Sequence, residues 1–313
     1  MGDFFKTVTS GLARYVFAWL LPSALALGAI LILVLPSADA DSYLALIVNR
    51  AMTGVVPPGL VFLFAIVGLA VLSGYASTFV YRLLEGYHLP RFVRRRLLRH
   101  QTRQWWRLYG RQVARTMGAP VRGQQIERAW GTPERLTDVM PTGLGNALRA
   151  AETYGRNRWN LDTLTLWHEL VSVAPEPLGR ELEDARSSMD FFMGLIVQII
   201  LVIGVCVSVL PGASDAVPVL VAAGGLLLLW PSYVGAVNRV SEYRSALQAL
   251  VNLGRQPLAA ALGYQLPDRL DREQFFWANL VRFIRDGNNW RGARVDRFRS
   301  RPQLDGKPSE PAT

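Results

Sequence analysis

Four apolar blocks, at 15–35, 58–80, 191–210 and 217–237, run without a single Asp, Glu, Lys or Arg. Each is about 20 residues or more, long enough as a helix rising 1.5 Å per residue to cross roughly 30 Å of hydrocarbon. A water-soluble core could hide one such run, but four of them separated by charged segments predict four transmembrane helices. Inside a bilayer the backbone must satisfy its own hydrogen bonds, so an all-α polytopic membrane protein with helical cytoplasmic regions is the expected fold.

Loop charges orient the blocks, because Arg and Lys near short spans stay on the cytoplasmic side. The loop at 36–57 has one basic residue, Arg50, and the turn at 211–216 has none. The segment 81–190 carries eighteen arginines, and 238–313 carries twelve more plus Lys307. Lys6 and Arg14 add to the inner side at the N-terminus. These signs agree on both termini in the cytoplasm and on a cytoplasmic (inner) membrane of a bacterial cell. A second reading of the first block is a signal segment cleaved after Ala40, since Ala38-Asp39-Ala40 has the small-x-small form. Its length, greater than an ordinary signal core, favours a retained span.

Five segments follow: a membrane hairpin at 1–80, an arginine-rich helical domain at 81–190, a second hairpin at 191–237, a helical region at 238–286, and a tail at 287–313 that its polar composition predicts to be disordered. Pro231 is expected to kink or end the fourth span, and Gln256-Pro257 to break the helix after it. In the first two spans Ala24 and Gly28, then Ala70, Gly74 and Thr78, stand four apart and offer small-residue ridges for close packing.

The most unusual run of charge is a ladder of seven arginines spaced four apart, from Arg91 to Arg115, within an interval from Glu85 to Glu127 that holds ten arginines and no other acid. A helix is predicted from 91 to about 117. Each four-residue step turns about 400°, so successive rungs drift about 40° and the seven wrap roughly 240° of the axis. The ladder is therefore a spiral stripe. Arg91, Arg95, Arg99 and Arg103 are the candidates for contact with anionic lipid, where each basic residue contributes about 1 kcal/mol. Two alternatives are retention of the loop inside the cell with pairing to Glu181, Glu183 and Asp184, and, more remotely, nucleic acid stacked on Trp105 and Trp106.

Catalytic signals are sparse. His88, His100 and His168 have no second ligand at metal spacing, and no phosphate loop or nucleophile elbow is complete. No catalytic residue, metal or cofactor is assigned. Lone Cys206 lies in the third span and forms no intrachain disulfide. Gln198 is the one strongly polar side chain of that block, a candidate for an interhelical hydrogen bond or for a pore lining.

The stretch from Pro141 to Leu170 resembles an uncharacterised group of multi-pass membrane proteins of actinomycetes, whose common form reads Pro-Thr-x-Leu-Gly-Asn, Ala-Ala-Glu, Tyr-Gly-Leu-Asp and Leu-Trp-Pro. Pro141, Thr142, Leu144, Gly145 and Asn146 match it, as do Ala150, Ala151, Glu152, Leu161, Asp162, Leu166 and Trp167. Trp159-Asn160 stands in place of Tyr-Gly, and His168 in place of proline. The resemblance implies a multi-pass membrane protein and brings no assigned activity. Two sizeable cytoplasmic regions without catalytic groups point to a non-enzymatic scaffold or recruiter with a cytoplasmic protein partner. The alternatives are an oligomeric ion channel and, remotely, a membrane-anchored enzyme using Glu152, Asp162 and His168.

Overall fold

A computed structural model describes residues 16–34, 58–116, 135–212, 216–286 and 294–299. Its regular elements are helical: α1 (Leu21–Val34), α2 (Pro58–Glu85), α3 (Arg91–Thr116), α4 (Gly143–Glu152), α5 (Tyr154–Trp159), α6 (Trp167–Ser172), α7 (Glu176–Val209), α8 (Val217–Ala261) and α9 (Leu270–Asp286). Three of them, α2, α7 and α8, are long and apolar enough to cross a membrane. The apolar helix through Ala18–Leu33 is shorter. The candidate cleavage point at Ala40, the loop 36–57, Lys6 and Arg14 lie outside the described residues.

The chain forms two compact units, one of Met1–Ala150 with Glu181–Arg244 and one of Ala151–Arg180 with Ser245–Thr313. The first holds two cores. An inner core joins Leu144, Ala147 and Leu148 of α4 to Met189, Met193 and Ile196 of α7 and to Ala236, Val237 and Val240 of α8. Val80, Tyr81 and Leu84 of α2 pack against it. An outer core of Ala26, Leu33, Val202 and Cys206 joins α1 to α7, with Leu69, Val221 and Ala222 against its edge.

The start of the first apolar helix has a local cause. Residues Val16–Leu20 form a turn of π-helix directly before α1. Pro22, which has no N–H, stands where the next helical turn would bond the Ala18 carbonyl. That carbonyl instead lies against α7 at Gly194, where a β-carbon would come within 2.6 Å of it. Glycine permits this approach.

The small-residue ridges are corrected. α1 and α2 do pack together, but a β-carbon added at Gly28 or Gly74 meets nothing within 4 Å. Thr78 is exposed. Of the expected ridge on α2 Ala70 is buried, and the other buried residues there are Ser73 and Ser77; α1 buries Ser23, Ala26 and Leu33. Spacing alone finds a ridge but not which ridge faces the neighbour.

The expected helix end at Pro231 and the expected break at Pro257 are corrected. The helix runs unbroken from Val217 to Ala261 through both Pro231 and Pro257. An interior proline costs about 3 kcal/mol. Beyond Pro231, Ala236, Val237 and Val240 are buried, and beyond Pro257, Leu258 and Ala259 are buried. Burying a large aliphatic side chain returns about 1.5–3 kcal/mol each, so packing on the far side of each proline outweighs the break.

The second unit is built on Leu161, Leu166, Leu170, Leu250, Leu258, Phe276 and Trp277, all fully buried. Here the tail assignment at 287–313 is corrected in part. Val295 is buried, the Phe298 ring stands 5.4 Å from Phe276, and the Gln265 N–H donates to the Phe298 carbonyl at 2.8 Å. Two apolar side chains in a polar tail suffice to seat residues 294–299; the remainder of 287–313 lies outside the described residues.

Two positions that differ from the pattern the sequence resembles have local roles. Asn160 caps α5 in the left-handed region at φ 56°, the conformation a glycine would adopt and asparagine tolerates best among the others. His168 is the second residue of α6, in the first turn, where a proline would also fit. Asp162 does not cap a helix directly; its Oδ1 accepts the Leu164 N–H at 3.2 Å, and α6 begins later at Trp167.

Candidate functional site

The motif segment Pro141 to Asn146 forms a joint in the first unit. α2 ends at Glu85, and Gly86 follows at φ 98°. Gly86 N–H bonds Leu83 O at 3.0 Å and Tyr87 N–H bonds Arg82 O at 2.9 Å, the paired bonds that close a helix through a left-handed glycine. A β-carbon at Gly86 would stand 2.9 Å from the Pro141 ring. At Gly145 a β-carbon would overlap the Glu85 carbonyl. The two glycines let the end of α2 touch the Pro141 ring at Gly86 and the backbone of α4 at Gly145.

At the N-terminus of α4 the exposed backbone donors are taken up from within the chain. Thr142 Oγ1 accepts the Gly145 N–H at 3.0 Å, a cap on the third helical residue. Leu144 N–H donates to the Tyr233 hydroxyl of α8 at 3.1 Å. Asn146, 3% exposed, accepts from the Met140 N–H at 2.6 Å through Oδ1 and donates through Nδ2 to Gln101 Oε1 of α3 at 3.1 Å. Nearby the Tyr81 hydroxyl of α2 donates to Asp190 Oδ1 of α7 at 2.6 Å. These donors hold helices together and leave the Gly143-Leu144-Gly145 turn to structure, in keeping with its reading as a helix start.

A second polar group lies in the apolar part of the same unit. Gln198, 2% exposed, donates through Nε2 to Ser23 Oγ of α1 at 2.8 Å and to Ser73 Oγ of α2 at 2.5 Å. Ser73 in turn donates to the Leu69 carbonyl at 2.7 Å, so its oxygen is an acceptor for Gln198 and the amide orientation is set. Gln198 Oε1 is buried with no hydrogen-bond partner. Gln198 also lines a cavity of about 300 Å³ whose other walls are mainly apolar side chains of α1, α7 and α8, among them Ala26, Val202 and Val221. Of the two roles open to Gln198 in sequence, the interhelical bond is the one seen. Ser23 and Ser73 are its missed partners; serines within apolar blocks were the available signal.

The ladder arginines 91, 95, 99, 103 and 107 are exposed along α3, as are Arg94 and Arg96. The side chains of Arg111 and Arg115 lie outside the described residues. Among the described residues no carboxylate forms an ion pair with Arg91 through Arg107. Two residues of the enzymatic alternative have a local role or face outward: Asp162 closes its turn on Leu164, and His168 is exposed. No group of three His, Cys, Asp or Glu side chains with metal-binding geometry occurs among the described residues.

The second unit has its own polar cluster. Glu273, 6% exposed, accepts from Arg255 at 2.5 Å and from the Trp277 indole N–H at 3.3 Å. The Arg255 guanidinium also lies 3.9 Å over the Trp159 ring, while Trp159 Nε1 and the Tyr154 hydroxyl both donate to Asn252 Oδ1. A buried carboxylate held by a guanidinium and an indole ties α5, α8 and α9 together. Known proteins supply no family for this architecture: no family model, curated protein or solved structure matches the chain.

Proposed function

We propose that the chain is a non-enzymatic protein of a bacterial cytoplasmic membrane, four-spanning with both termini inside, that presents its second unit to a cytoplasmic protein partner. The span beyond the three long helices is, in this reading, the shorter apolar helix through Ala18–Leu33. Orientation follows from the loop charges. The observation that carries the recruiting role is the surface of the second unit. Its core is filled, yet Leu164, Leu253 and Leu270 are 62%, 60% and 54% exposed. The recruiting role takes these three side chains as its points of contact, contiguous apolar surface being what marks a partner site.

The test is site-specific photocrosslinking at 253 and 270 in native membranes, compared with the same probes in a Leu164→Glu variant. One protein crosslinked in stoichiometric yield at both positions, and lost in the variant at unchanged expression, is the expected result. Crosslinks to lipid alone, or to no single protein, would remove the recruiting role. The channel alternative draws less support, because both Nε2 hydrogens of Gln198 are engaged inside one chain.

A further inference from the structure

α3 has two dissimilar sides. At about 100° per residue, Leu97, Gln101, Trp105 and Leu108 fall together. These are the inward positions: Trp105 is 8% exposed, and Gln101 is bonded to Asn146 of the joint. On the opposite side, Arg95, Arg99 and Arg103 fall within about 80° of Phe92 and Trp106. Phe92 is 76% exposed and Trp106 54%. The two aromatics stand 14 residues apart, about 21 Å along the axis, with the three arginines between them.

We propose that this outward face of α3 is a docking surface for an anionic phospholipid bilayer. Guanidinium groups bind phosphate through forked hydrogen bonds, and an exposed Phe and Trp at the two ends supply the apolar and amphipathic anchors that interfacial helices bury at the headgroup boundary. No described carboxylate pairs with these arginines, so none of the described acids competes with lipid phosphate for them. Position in the chain chooses bilayer over nucleic acid. α3 begins at Arg91, six residues after α2 ends at Glu85, so Phe92 enters near where a spanning helix leaves the hydrocarbon. The joint supplies the second half of the device: with Gln101 and Trp105 held inward, the arginines and aromatics are displayed without a further change in the helix. Arg91 falls about 80° from the middle of this face and is a weaker contributor than its place in the ladder suggests.

The experiment uses the full-length chain in nanodiscs, with Cys206→Ala as background and a nitroxide attached to a single cysteine in place of Phe92, Trp106 or Gln104. Gln104 is exposed but lies off the face. In discs rich in phosphatidylglycerol, labels at 92 and 106 are expected to be reached by oxygen dissolved in lipid and shielded from aqueous nickel chelate. The label at 104 stays open to nickel. In zwitterionic discs the shielding at 106 falls at least fivefold, as it does in anionic discs when Arg95, Arg99 and Arg103 are changed together to Gln. Equal nickel access at 92, 104 and 106, or shielding indifferent to lipid charge, overturns the proposal. Shielding of 106 by a single-stranded oligonucleotide in zwitterionic discs, without shielding by anionic lipid, overturns it in favour of nucleic acid.

Discussion

The joint at Pro141 to Asn146 and the buried amide at Gln198 both use polar side chains to tie helices of the first unit, but they depend on those side chains differently. At the joint each polar side chain answers a backbone group: Thr142 takes Gly145 N–H, Tyr233 takes Leu144 N–H, and Asn146 takes Met140 N–H. Removing one leaves a buried donor with no replacement. Around Gln198 side chains mostly answer one another. Deleting a buried partner of a backbone donor costs the desolvation of that donor, about 1–3 kcal/mol, whereas replacing mutually paired side chains by apolar ones of the same shape is close to neutral. The joint is the more brittle of the two.

Gly145→Ala has the largest expected effect, because its methyl overlaps backbone rather than a mobile side chain. It is expected to destabilise by about 3 kcal/mol in reversible unfolding in mixed micelles. Gly74→Ala is the matched control; with nothing within 4 Å of its β-carbon, it should be neutral or stabilising by up to about 1 kcal/mol. Equal costs at the two glycines would break the distinction between a forced approach and an open one. Next in size is Asn146→Ala, with an expected loss of about 2 kcal/mol, while Asn146→Asp, which keeps the acceptor for Met140 and loses the donor to Gln101, should fall between. Smallest is Gln198→Met, expected within about 1 kcal/mol of the parent, since the two lost hydrogen bonds are offset by removing the unpartnered Oε1. If Gln198→Met cost as much as Asn146→Ala, the amide would have to be reckoned with the joint.

Much of this architecture is legible in the amino-acid sequence. Charge-free length predicts α2, α7 and α8, and the helix predicted from 91 to about 117 agrees with α3 to a residue or so. What could not be read depended on neighbours distant in sequence. Pro231 and Pro257 carry a local instruction to break, but the side chains that override it become valuable only when other helices bury them. Gln198 announces that it needs a partner without naming Ser23 or Ser73, 175 and 125 residues away. Asn160 in place of glycine keeps its turn because a short amide tolerates the left-handed region. Of the candidate site, the motif residues were visible as a pattern, and their purpose became visible only when Gly86, Glu85, Gln101 and Tyr233 stood around them.

The central claim is that the motif acts as a joint, with Asn146 fastening α3 to the start of α4. A double-mutant cycle on Gln101→Ala and Asn146→Ala, read by reversible unfolding of the full-length chain, tests it most directly. The account predicts a coupling energy of about 1 kcal/mol or more between the two positions. Costs that add to within about 0.3 kcal/mol would show that the two side chains act independently and would contradict it.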